Sequence, residues 1–529
     1  MKFIILLISV VVTCSFGCTD SSNSRLELGV DSVNIYQSVT PVLIGKDHNP
    51  VLQIKVDIGN SDSPGVLSAL TLSSVGTTNL DDIQAISVYR ADSINKFNVD
   101  DLLATTSEIK TDMTLTGEWP LTKGANYFWV SCQLNPTANL LNKVKLACSS
   151  VSVEGNELIP ANVTPDVPKR IAHALRLSGD DGVDTYRIPG LATTNNGTLI
   201  GVYDVRRNSS VDLQADIDIG MSRSTDGGQT WEPMKVILDM GEWGGKPDSE
   251  NGIGDPSILV DRQTNTIWVA GIWAHGHPDE RNWFASKPGL EPVETSQFIL
   301  TKSEDDGITW SPPINITKQI KHPKWHLLLA GPGKGISLKD GTLVFPAQFK
   351  DENEVPYASI IYSMDGGTTW HMGTGVRKET TEAQVVQLKN GDIMINARNN
   401  EARGQKGVGR VVATTGDFGQ TWTMHPSNIV ALEEPTCMAS LINEAFENYG
   451  DLLLFSNPNN HTDRSYLTIK ASVDEGLSWP QDRWLLLDQG RGRGYSCMTR
   501  IDDRTIGILY EGSQADMVFE KVDISEVLK

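Results

Sequence analysis

Cysteine is scarce in this chain: six in 529 residues, at positions 14, 18, 132, 148, 437 and 497, none spaced like zinc ligands. Cys132 and Cys148 lie on two strand-like runs and are candidates for a disulfide, whereas Cys437 and Cys497 read as free buried thiols. His275 and His277 have no third ligand in view and read as loop residues, so no metal and no cofactor is expected. Positive charge is also short, with 45 Lys and Arg against 66 Asp and Glu and a net charge of −21. That balance excludes a nucleic-acid binder, which needs a basic face, and gives no global attraction for an anion. Any anion site has to be built locally from a few placed arginines. Long apolar runs are missing too. Phe3 to Val12 is the longest, and it falls short of the ~18 residues that span a bilayer.

That run follows Met1-Lys2 and ends in Ser15-Phe16-Gly17-Cys18, then a polar stretch to Ser24. Residues 1–17 read as a signal peptide resembling the bacterial lipoprotein type, with lipid on Cys18 and a tether over 18–24. The expected location is outside the cytoplasm, in the periplasm or on the outer membrane or cell surface. Membrane contact comes only through the anchor, and the oligomeric state expected is a monomer.

What is present is β-structure. Leu52 to Ile58 alternates apolar and polar residues, as a half-buried strand does, and Ala85–Tyr89 and Tyr127–Leu134 look similar. Residues 25–168 read as a β-sandwich, closed by a linker at 159–168 that carries three prolines. Beyond it an eight-residue pattern, S/T-x-D-x-G-x-T/S-W, recurs five times, ending at Trp231, Trp310, Trp370, Trp422 and Trp479. Its Ser/Thr and Asp side chains suit hydrogen bonds to turn backbone, its Gly suits a positive φ, and its Trp suits packing into a core. Each interval is long enough for four short strands, so the all-β expectation for 169–529 is a six-bladed β-propeller whose sixth blade is closed by the chain ends.

Tyr186-Arg187-Ile188-Pro189, with these Asp boxes behind it, resembles the bacterial sialidases of glycoside hydrolase family 33 over residues about 171 to 520. The resemblance implies a triad of arginines, Arg187, Arg398 and Arg464, around a sugar carboxylate, which planar guanidinium groups bind with paired hydrogen bonds. It implies Asp212 as general acid/base, with Asp216 and Asp218 as neighbouring alternatives. It gives Arg206 and Asp255 a hydroxyl of the sugar, and Glu511 the orienting of Arg187. Glu382 and Tyr495, in Gly492-Arg493-Gly494-Tyr495-Ser496, match the base and nucleophile. A neutral phenol can approach an anomeric carbon bearing a carboxylate, where an anionic nucleophile would be repelled. Arg403 and Arg410 read as solvated loop charges. For an N-acetyl pocket, Trp273, Trp325 and Phe345 are the aromatic candidates, and core packing explains each equally well.

The implied activity is exo-sialidase action on terminal α-linked sialic acids of glycoproteins, glycolipids and oligosaccharides, with retention through a tyrosyl-enzyme. Transfer to an acceptor sugar or intramolecular release of an anhydro product are the other enzymatic outcomes. A non-catalytic glycan-binding propeller is a different class, one that would lack Asp212, Glu382 or Tyr495. The first domain is open between carbohydrate binding and a spacer or stabilising role.

Overall fold

The computed structural model describes residues 29–59, 64–93, 96–164 and 166–528. The expected signal peptide, Cys14, Cys18 and the tether lie outside the described residues.

Two sheets make the N-terminal part. The larger runs Val163–Thr164, Val30–Tyr36, Asn49–Ile58, Gly124–Leu134, Ile83–Ala91, Leu102–Thr106; the smaller runs Asn156–Leu158, Ala147–Val153, Val66–Ser73, Asp112–Pro120. Ile54, Val56, Val88 and Val130 of one and Leu70, Leu72 and Val151 of the other share a core. The proline-rich linker is not bare: Val163–Thr164 pairs in parallel with Ile35–Tyr36. Alternation along Leu52–Ile58 breaks at Gln53, which is buried because this strand is central and its amide reaches Ser93. Cys132 and Cys148 correct the disulfide expectation. Both are free and buried, on strands of different sheets, and burial pushes both thiols up to about 12.

From Lys169 on, the described residues form six mainly antiparallel sheets. The first is Thr185–Thr193, Leu199–Arg206, Ile217–Ser224, Lys235–Leu238; four more follow in sequence. The last joins Ser496–Arg500, Thr505–Tyr510 and Met517–Asp523 to Lys169–Arg176 from the other end of the region. First strands of neighbouring sheets pack side by side: Thr185–Thr193 on Ile253–Val260, Thr380–Gln387 on Ser440–Phe446, that strand on Ser496–Arg500, and Ser496–Arg500 back on Thr185–Thr193.

Every box sits at the corner between the third and fourth strands of its sheet. In the first, Asp226 accepts from Ser224 Oγ (2.8 Å), Thr230 N (2.9 Å) and Thr230 Oγ1 (2.6 Å), and Gly228 N donates to Ser224 Oγ. Gly228 has φ +88°, and a Cβ there would meet Phe519 of the last sheet at 2.1 Å. Trp231 packs edge-on to the same Phe519, at 4.9 Å between centroids. Trp231 thus lies at the seam with another sheet, and of the five box tryptophans only Trp370 is fully buried. Five boxes serve six sheets because in the last sheet the third and fourth strands come from opposite ends of the chain, so no turn joins them.

The N-terminal sheets are not cleanly separate. Val42–Ile44 pairs in parallel with Ile171–His173, adding an edge strand to the last sheet. Arg170 bonds Glu520 (2.8 Å) and Glu526 (2.7 Å), and Lys143 bonds Glu526 (2.5 Å).

Candidate functional site

Bulges place the site. Register shifts interrupt Thr185–Thr193 after Arg187, Ile253–Val260 after Gly254, and Thr380–Gln387 at Glu382. Each gives a non-glycine residue a positive φ: Ile188 (+60°), Asp255 (+54°) and Glu382 (+23°). Bulges re-aim side chains, and such backbone strain gathers at functional sites.

The three triad arginines converge. The guanidinium carbons of Arg187 and Arg464 stand 5.2 and 5.3 Å from the Tyr495 ring centre, and Arg398 donates toward the Tyr495 hydroxyl at 3.4 Å. Glu511 holds the first arginine: its Oε1 accepts from Arg187 Nε (2.8 Å) and Ile188 N (3.1 Å), its Oε2 from Tyr495 N (3.0 Å). One carboxylate therefore locks anchor and phenol together. Burial opposes charge on Arg187, but Glu511 outweighs it and the guanidinium is held firmly protonated. Arg464 donates only to the carbonyls of Arg493 (2.9 Å) and Thr436 (3.3 Å), and the buried Nε of Arg398 has no partner. Two of the three cations thus retain donor capacity for an anion.

Tyr495, 5% exposed, donates its hydroxyl to Glu382 Oε1 in a short bond. Arg398 donates to Glu382 Oε2 at 2.6 Å. Burial, then the Glu382 charge, push the phenol well above its ordinary value, so at rest it keeps its proton. Burial raises Glu382, but Arg398 and the Tyr495 hydrogen bond outweigh it and hold it ionised. A protonated phenol on an ionised carboxylate can serve as a nucleophile with its base already aligned.

Across the basin Arg206 is 2% exposed, donating to Asp204 Oδ2 (2.9 and 3.1 Å) and Asp212 Oδ1 (2.8 Å). Asp204 Oδ1 accepts from Asp255 N (2.8 Å). Burial, then the Asp204 charge, push Asp255 well above the ordinary carboxylate value. Asp212 is half exposed and also 3.7 Å from Arg187. Arg206 and Arg187 overcome the effect of burial and hold it below the usual carboxylate range. Asp216 and Asp218 turn instead to Arg207, at 3.9 and 2.5 Å.

Arg410 corrects the reading of a solvated loop charge. It is fully buried, donating to Glu434 (2.6 Å), Asn396 Oδ1 (2.7 Å), Cys437 O (2.6 Å) and, more weakly, the carbonyl of Glu382 (3.3 Å). Gln348 Oε1 accepts from Glu382 N at 3.2 Å. Both peptide groups flanking the strained Glu382 are therefore held by side chains that sequence reasoning missed. Asp204 was within reach of it, since Asp204 and Arg206 are two apart on one strand and face the same side. Arg403 is exposed, as expected. Phe345 is fully buried and Trp325 stacks on Phe349 at 3.9 Å, so both serve packing; Trp273 is buried against Trp243. His275 bonds Asn251 Oδ1 at 2.8 Å.

Paired acid groups, a phenol hydrogen-bonded to a carboxylate and converging cations on repeated β-sheets define a class: an all-β, repeat-built hydrolase with a cationic basin. Residues 202–509 match the BNR repeat-like domain, and residues 30–157 match the N-terminal domain of BNR-repeat neuraminidase. A sialidase of Bacteroides fragilis is 44% identical, over 94% of this chain and 96% of that one. A sialidase of Micromonospora viridifaciens is 33% identical over 64% of this chain, which spans 51% of that protein. A Hadza microbial sialidase has a solved structure with TM-score 0.88 at 42% identity, over 93% of this chain and all of that one. The chain belongs to the bacterial BNR-repeat sialidases, which are glycoside hydrolases.

Proposed function

We propose that this sialidase releases terminal α-linked sialic acid from glycoproteins, glycolipids and oligosaccharides, with retention at the anomeric carbon. The observation that carries the reading is the Tyr495–Glu382 hydrogen bond inside the arginine triad. Arg187, Arg398 and Arg464 bind the sugar carboxylate. Glu382 takes the phenol proton as Tyr495 oxygen bonds to the anomeric carbon, and Asp212 protonates the departing glycosidic oxygen. Water then attacks with Asp212 as base, and Tyr495 leaves as the phenol with its proton returned from Glu382. The incoming carboxylate competes with Asp212 for Arg187; once displaced, Asp212 loses a cationic neighbour and regains affinity for a proton. Arg206 and Asp255 hold a ring hydroxyl.

The six sheets are read as blades of a closed propeller over 169–529, preceded by a β-sandwich over 25–168. The packing of the first and last inner strands supports closure, and the edge strand Val42–Ile44 supports a stabilising role for the sandwich. Residues 1–17 as a lipoprotein signal, 18–24 as a tether and a monomeric enzyme exposed outside the cytoplasm complete the proposal.

The test is turnover of an α-sialoside followed by proton NMR. First-formed α-sialic acid, followed by slow mutarotation, is expected; first-formed β anomer would overturn retention, and no release would overturn the activity.

A further inference from the structure

Several inner strands carry a basin residue near one end and a residue of a second cavity near the other. Arg187 and Ala192 share Thr185–Thr193, Asp255 and Val260 share Ile253–Val260, and Glu382 and Val386 share Thr380–Gln387. At about 3.3 Å per residue, this puts the cavity roughly 13–17 Å from the basin, at the far end of the inner strands. Its volume is about 290 Å³.

A buried cation forms part of its wall. Lys334, on a short strand paired in parallel with Ser257–Ile258, is 8% exposed. Its ammonium has one long hydrogen bond, to Thr499 Oγ1 of the last sheet at 3.4 Å, and among the described residues it has no ion pair. Burial pulls its pKa down, and Glu444 across the cavity opposes that only from a distance. Ser337, also in the wall, has a buried hydroxyl without a hydrogen-bond partner. Arg262, also lining the cavity, donates to Thr193 O (2.9 Å) and Asn195 Oδ1 (3.1 Å), neither of them charged. Lys389 and Asp451 answer each other at 3.6 Å, which leaves Arg262 and Lys334, with Lys339 exposed beside them, facing Glu444 alone. A buried ammonium with two spare donors is costly unless an anion meets it. In a chain of net charge −21, a local excess of cations is not a by-product of composition. Val386, Leu388 and Leu441 supply hydrocarbon beside the charge, which suits an anion with an apolar body better than a bare phosphate.

We propose that this cavity is a second ligand site, binding a small organic carboxylate between the Lys334 ammonium and the Ser337 hydroxyl. It does not depend on the reaction assigned to the basin.

The test is isothermal titration of the full chain with isobutyrate, its neutral analogue isobutyramide, and inorganic phosphate. Saturable one-to-one binding of isobutyrate is expected in the wild type and unchanged in Arg187→Ala, whose basin has lost its anchor. Isobutyramide should not bind. Lys334→Met should weaken isobutyrate at least tenfold; if that variant fails to fold, Ser337→Ala and Arg262→Gln should each weaken it severalfold. Binding lost in Arg187→Ala but kept in Lys334→Met would place the carboxylate in the basin and overturn the proposal. So would the absence of saturable binding to the wild type, and phosphate bound more tightly than isobutyrate would overturn the carboxylate assignment.

Discussion

In the proposed mechanism Tyr495 and Asp212 do different work, and two substitutions separate them. Tyr495→Phe keeps the ring between Arg187 and Arg464 but removes the atom that attacks, so kcat should fall by at least about a hundredfold with KM little changed. Asp212→Ala removes the proton donor, so sialyllactose should suffer far more than an aryl sialoside whose phenolate leaves unaided; equal losses on both would remove Asp212 from that role. Arg410 reaches the basin only through its hydrogen bond to the Glu382 carbonyl. Arg410→Met leaves Glu434 as a buried charge without its partner and should cost about 3–5 kcal/mol in denaturant unfolding. Arg410→Met with Glu434→Gln should recover much of that stability yet keep a lowered kcat, because the Glu382 carbonyl still lacks its donor. Full recovery of kcat would make Arg410 purely structural. The residues proposed as nucleophile, base and anchors stand in short motifs, so the sequence alone draws attention to them. Arg410 was not, because the carboxylate that draws it inward lies 24 residues away, and only packing brings the two together.

The Asp box is legible for the opposite reason: most of its hydrogen bonds close within eight residues of sequence. Its pH dependence follows from the same bonds. Hydrogen bonds from Thr309, Thr369 and Thr421, by side chain and backbone, hold Asp305, Asp365 and Asp417 down to about 2. A folded-state pKa depressed below the unfolded one contributes stability that is present above about pH 4 and lost as pH falls toward 2. Thermal melts of the wild type should decline through that window, and a variant with the three Asp changed to Asn should start lower and decline less. A parallel decline would remove the boxes as its source. What the eight residues did not reveal is where the Trp goes, since the neighbour of Trp231 belongs to another sheet.

At the scale of the molecule, a change of texture near residue 169 is legible in the sequence, and there the two N-terminal sheets give way to the six that follow, but the junction between them is not legible. Val42–Ile44 is three residues long and carries no signal that it pairs with a strand about 130 residues on. A chain beginning at Lys169 loses that edge strand and the Lys143–Glu526 bond, exposing the edge of Lys169–Arg176. It should melt at a lower temperature and aggregate more readily than the full chain, while each folded molecule keeps its kcat. An unchanged melting temperature would make the N-terminal sheets a passive spacer. The last sheet also sets a timetable. Arg170 and Glu520 are separated by 350 residues, which a ribosome adds in about 20–70 s at ~5–20 residues per second. For that interval Lys169–Arg176 has no C-terminal strand beside it, so the final seam can be sealed only after almost the whole polypeptide has been synthesised.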